Sequence, residues 1–219
     1  MTSINLFNII STIKAGGLVM LPIIVMTILS LILIVDKLLF SFRNAKLPIY
    51  LQKLLAGEIE ISKVKSLSAT INDKNLYNKF VAETFAHIEN FRNNSRNKKL
   101  IESKILASAQ QIDKSFSSSL WVIDTFVTLA PLLGLFGTIV GMMESFKIIG
   151  SGQIDNPTQI TAGVAQALIA TAAGLIVAIF DLFFLNFFNR NQEILLSNIE
   201  LIGTLIVEEE TLLATNNNN

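Results

Sequence analysis

Three long stretches of this chain carry no charged residue: residues 15–35, 125–143 and 156–180. A helix rises about 1.5 Å per residue, so each stretch can cross the roughly 30 Å hydrocarbon core of a bilayer. We therefore predict an all-α membrane protein with three transmembrane helices, the third starting a few residues after Pro157. The first stretch is followed by Asp36 and Lys37 and not by a small-residue cleavage site, which favours a retained helix over a signal peptide.

The composition narrows the possible chemistry. Hydrophobic residues make up 51% of the chain, and the net charge is zero, so no overall field attracts nucleic acid. The chain has no cysteine and a single histidine, His87, which argues against thiolate or histidine metal sites and against common nucleophilic sets. We expect no enzyme activity, no metal and no cofactor.

The basic residues predict the orientation. All of them except Lys14, Lys147 and Arg190 lie between the first and second apolar stretches. By the positive-inside rule that segment is cytoplasmic. The predicted topology has the N-terminus outside and the C-terminus inside.

The chain is expected to divide into five parts. The cytoplasmic part has helical periodicity, and Leu195, Ile199, Ile202 and Ile206 predict an amphipathic helix that continues the third span. "EEE" at 208–210 and "NNNN" at the end are interpreted as a solvated tail. The parts are an N-terminal segment with the first span (1–40), a cytoplasmic helical region (41–119), the second span (120–150), an outer loop with the third span (151–188), and a C-terminal helix and tail (189–219).

Small and polar residues share one face on each of the last two spans. In the second span, Thr138 lies on the side of three glycines that allow close helix packing, Gly134, Gly137 and Gly141. In the third span, a stripe within about 120° contains Gly163, Gln166, Ala167, Ala170, Gly174, Ala178 and Asp181, with Thr171 at its edge. Tight packing inside one subunit would explain the small residues. The polar ones must face protein or water, which makes them candidates for a functional lining or for interhelical hydrogen bonds.

Two segments carry a family resemblance. "APLLGLFGTIVGMMESF" (130–146) and "GVAQALIATAAGLIVAI" (163–179) resemble the signature segments of the ExbB/TolQ/MotA family, closest to ExbB and TolQ. Their order, their spacing and the three-span topology also match. The cytoplasmic part is similar only in length and helical character.

The resemblance implies an inner-membrane motor subunit driven by ion flow. Such subunits are thought to form a pentameric ring around a single-span ExbD- or TolR-like partner with an essential membrane aspartate, and to drive TonB- or TolA-like proteins. The resemblance also implies that Thr138 and Thr171 line the ion path and that Asn186 occupies a frequently polar position.

This chain departs from the family pattern at two places. Gln166 stands where ExbB and TolQ usually have glutamate, and glutamine cannot ionise. Phe180 replaces a usual proline, and Asp181 follows it. Three interpretations stay open: the partner's aspartate acts alone while Gln166 orders water or a threonine, Asp181 joins a displaced path (or merely caps the helix at the interface), or the ion is sodium in a specialised complex. A non-conducting scaffold of the same fold is a further alternative, and the sequence does not distinguish TonB-type from Tol-type or gliding-type systems.

Overall fold

A computed structural model describes residues 16–44, 46–70, 75–92, 98–150 and 157–216, and in these ranges it contains helices and no strand. The helices are α1 (Met20–Asn44), α2 (Ile49–Leu55), α3 (Ile61–Thr70), α4 (Leu76–Arg92), α5 (Lys98–Ser117), α6 (Leu120–Gly150) and α7 (Pro157–Asn216).

Three helices are long and apolar enough to cross a membrane. They are Met20–Asn44, Leu120–Gly150 and Thr158–Glu209, with mean hydropathies of 2.5, 2.0 and 2.4 in their most apolar windows. The predicted all-α fold with three spanning helices is confirmed, and the chain is a multi-pass membrane protein. The predicted outer loop falls largely in residues 151–156, outside the described residues.

The chain divides into two compact units. The first, here called the spanning unit, comprises Met1–Asp36 and Ser119–Phe187. Its core is built from α1, α6, α7 and the residue just before α1. The residues buried together are Val19, Met20, Ile23, Met26, Ala130, Val177 and Ala178. Apolar side chains on the other helix faces, such as Leu132, Ile176 and Ile179, are more than half exposed. Such faces suit lipid or neighbouring apolar helices.

The second unit, here called the helical unit, comprises Lys37–Ser118 and Phe188–Asn219. The part of α7 in this unit buries the predicted amphipathic face completely at Ile199, Ile202 and Ile206. α7 continues as helix through Glu208 and Glu209 to Asn216. Residues 208–210, predicted to begin a solvated tail, thus lie within the helix, and the side chain of Glu208 is exposed.

Lys37 is buried in the helical unit. Its ammonium group donates a hydrogen bond of 2.7 Å to the carbonyl of Phe116, one residue before the end of α5. It also lies 5.4 Å from the ring centre of Phe40. A lysine that binds the last carbonyls of a helix is favoured by the helix dipole as well as by the hydrogen bond.

Candidate ion-path site

Glycines bring the backbones of α6 and α7 into contact. A methyl group added at Gly134 would lie 3.0 Å from the Cα of Thr171, and one added at Gly174 would collide with the carbonyl oxygen of Ala130. At Gly141 the added group would lie 2.7 Å from the carbonyl oxygen of Gly163. Residue numbers rise along α6 as they fall along α7, so the two helices are antiparallel. A side chain at these positions would force the helices apart.

The remaining predicted packing glycines lie in the same contact. A methyl group at Gly137 would lie 2.5 Å from the Cβ of Ala170, and one at Gly163 would collide with the hydroxyl of Ser145. Ser145 donates to the carbonyl of Ile160, at 3.0 Å, and so joins α6 to the first turns of α7. All five glycines are buried within one chain.

The two predicted threonines use their hydroxyl groups differently. Thr171 on α7 donates a hydrogen bond of 2.9 Å to the carbonyl of Gly134 on α6. Thr138 donates to the carbonyl of Leu135, one turn earlier on its own helix, at 2.6 Å. Both side chains are half-buried. Thr171 therefore ties the two helices together, whereas the hydroxyl of Thr138 bonds within its own helix.

Gln166 lies at the other end of the α6–α7 contact. Its amide group packs against Gly17, whose φ of +70° is the left-handed conformation that glycine adopts without strain. A side chain at position 17 would occupy the place of the Gln166 amide. Gln166 also borders an open depression of about 240 Å³ together with Glu144, Ser145 and Gln159. The glutamine thus lies beside other polar side chains.

Asp181 is enclosed between α7 and α1. Its side chain has no exposed surface. One carboxyl oxygen, Oδ1, accepts a hydrogen bond from the hydroxyl of Ser30, and the other, Oδ2, has no hydrogen-bond partner. The structure therefore places Asp181 in a contact between two helices of the same subunit.

Asn186 is exposed, five residues after Asp181 on a different side of α7. The structure does not bring it together with the threonines or with Gln166 in any hydrogen bond of the described residues. Among the described residues, no group of histidine, aspartate and glutamate side chains could hold a metal ion.

The burial of Ser30 and Lys37 was not predicted from the sequence. Ser30 is 1% exposed and Lys37 is 4% exposed. The signal for Ser30 was its place among buried α1 positions at helical spacing, Ile23, Met26 and Ile34. Lys37 was interpreted only as an orientation marker, because its carbonyl partner is distant in the sequence.

Comparisons with known proteins identify the family. Residues 72–201 match the model of the MotA/TolQ/ExbB proton channel family. Over 83 residues the chain is 43% identical to the biopolymer transport protein ExbB of Aquifex aeolicus. The aligned segment covers 38% of this chain and 56% of that protein.

Two further matches extend over more residues but have lower sequence identity. The ExbB of Pseudomonas putida is 32% identical over 142 residues, 60% of this chain and 43% of that protein. The ExbB of Neisseria meningitidis serogroup A is 27% identical over 193 residues, 82% of this chain and 84% of that protein. The chain thus aligns with about half the length of the first two relatives and with most of the third. Because the family model matches more than half of the chain, across the α6–α7 contact described above, the chain belongs to the MotA/TolQ/ExbB proton channel family.

Proposed function

We propose that this chain is the multi-span subunit of an ion-driven motor in the bacterial inner membrane. With a single-span ExbD- or TolR-like partner, it couples the proton motive force to mechanical work on the periplasm or the outer membrane. Several copies, five by the family resemblance, form a ring whose α6 and α7 helices surround the partner's membrane helix. A TonB- or TolA-like protein receives the movement.

The observation that carries this proposal is the α6–α7 contact. Gly134 and Gly174 hold two apolar helices backbone to backbone, and Thr171 adds a hydrogen bond across the contact. In lipid, such close packing and a satisfied hydroxyl give a stable helix pair without any charge. A helix pair of this kind supplies a rigid wall with hydroxyl groups along which a partner helix can move.

The ionisable group of the path is assigned to the partner. Gln166 cannot ionise, and Asp181 is enclosed and bonded to Ser30. Glu144 and Asp124 are exposed near the ends of α6, where side chains reach the membrane surfaces. The partner's membrane aspartate therefore carries the proton, and Thr138 and Thr171 with Gln166 hydrogen-bond the water or the groups through which it moves.

Two alternatives have support from particular residues. With Gln166 in place of the usual family glutamate and Asp181 enclosed, the same geometry fits a sodium-driven or otherwise specialised stator, or a scaffold that conducts no ion. These alternatives differ from the main proposal in the ion that crosses the membrane.

The test is ion flux through lipid vesicles that hold the purified chain alone, the single-span partner alone, or the assembled complex. A pH gradient and a sodium gradient are applied in turn. We expect proton flux only with the complex. Sodium flux without proton flux would favour the specialised stator, and no flux in a complex shown to be assembled would favour the scaffold.

A further inference from the structure

Asp181 and Ser30 form a buried hydrogen-bonded pair that takes no part in the proposed ion path. Within the described part of the first helix, Thr27 and Ser30 both carry hydroxyl groups. Thr27 donates to the carbonyl of Ile23 on its own helix, at 2.8 Å, which is the usual way for a hydroxyl to be satisfied in a membrane helix. Ser30 instead donates to Asp181 on α7. The Ser30 hydroxyl is thus hydrogen-bonded to a carboxyl group on another helix.

The surroundings of Asp181 contain little else that could stabilise a negative charge. Its neighbours one turn away along α7, Val177 and Leu185, are buried apolar residues. The other charged side chains of the spanning unit in its described ranges are all exposed, and none forms an ion pair with Asp181; they are Asp36, Asp124, Glu144 and Lys147. Oδ2 has no hydrogen-bond partner.

An ionised carboxylate at the buried position of Asp181 would be energetically unfavourable. An ionised group buried in low dielectric without a counter-charge loses most of its hydration, and proteins avoid this by neutralising the group. A single hydroxyl donor compensates only a small part of that loss. A protonated carboxyl can be buried here with one hydrogen bond to Ser30 and no net charge.

We propose that Asp181 and Ser30 form a proton-binding site between α7 and α1, occupied by a proton while the two helices are packed as in this structure. The ligand is a proton held on Oδ2 of the carboxyl group, while Oδ1 accepts the hydrogen bond from the Ser30 hydroxyl.

The proposal is tested by infrared spectroscopy of the full-length chain, purified in lipid without a partner. A neutral carboxyl group has a C=O stretching band well separated from the bands of a carboxylate. At neutral pH we expect such a band in the wild type, its loss in Asp181→Asn and its displacement in Ser30→Ala, because the hydrogen bond is gone. The matched control is Glu144→Gln, which changes an exposed carboxyl of the same unit and is expected to leave the band unchanged.

Two outcomes would overturn the proposal. If the wild type and folded Asp181→Asn, judged by their helical circular dichroism, have the same spectrum in this region, Asp181 is ionised and the site does not exist. If Asp181→Asn does not fold, the Ser30→Ala spectrum decides, since a band that does not move contradicts the proposal. Neither measurement uses ion flux, so failure of the proposed function and failure of this site are distinguished.

Discussion

Thr171 makes the one hydrogen bond between the two signature segments that can be removed by a nearly isosteric change. In Thr171→Val the hydroxyl that donates to the Gly134 carbonyl is replaced by a methyl group. We expect a loss of about 0.5–1.5 kcal/mol in the free energy of unfolding and a reduced ion flux, with the oligomer still assembled. The measurements are unfolding in detergent and flux in vesicles.

The matched control for that change is Thr138→Val. Its hydroxyl bonds only to Leu135 on its own helix, so the contact between α6 and α7 is preserved and stability should hardly change. If Thr138 also lines the path, flux should fall in this variant without the loss of stability. Unchanged flux in both variants would exclude a role of the hydroxyl groups in conduction.

At the scale of single residues, the sequence predicted which residues share a helix face better than what those residues contact. The helical wheel placed Asp181 on the stripe of Gly174 and Ala178, and all three are buried. It could not reveal that Asp181 contacts α1 whereas Gly174 contacts α6, because nothing in the sequence of α7 specifies its partner helices. Ser30, 151 positions away, became visible only through the packing.

Helix packing in the spanning unit depends on the absence of side chains at a few positions. In Gly174→Ala the added methyl group would collide with the carbonyl of Ala130, and α6 and α7 must separate. We expect a loss of about 1–3 kcal/mol, as for other overpacked sites. Thermal unfolding in detergent measures it.

The control for this substitution is Gly150→Ala at the end of α6. A methyl group there meets no atom within 4 Å, so alanine should be neutral or slightly stabilising. Equal stability of the two variants would contradict the close backbone approach of α6 and α7.

In the helical unit, Lys37 is expected to hold the end of α5. In Lys37→Met the alkyl part remains, but the carbonyl of Phe116 loses its charged donor. We expect the free energy of unfolding to fall by about 1.5–3 kcal/mol. Lys104→Met, at an exposed position of α5, is the control and should change it little. An equal effect of both would mean that Lys37 contributes only net charge.

The helices themselves were largely predictable, because long uncharged stretches and periodic apolar positions are local properties of the sequence. The apolar pattern at Leu195, Ile199 and Ile206 also predicted a helix that continues the third span. In the structure this continuous helix is α7, which extends over 60 residues.

For the whole molecule, the predicted orientation has a simple test, because the chain lacks cysteine. Single cysteines at Ser3 and at Ser62 should react with a membrane-impermeant thiol reagent from opposite sides. We expect Ser3→Cys to be labelled in intact spheroplasts and Ser62→Cys only after the membrane is opened. The reverse pattern would invert the orientation and place α3 in the periplasm.

The central claim is that the chain forms the wall of the path while the partner supplies its carboxylate. The most direct test compares proton flux through vesicles with two isosteric variants of the assembled complex. One changes the partner's membrane aspartate to asparagine, and the other is Asp181→Asn in this chain. The account predicts that flux is abolished by the first change and remains near the wild-type rate with the second. Flux that survives the first change and is lost with the second, in complexes shown to be assembled, would contradict it.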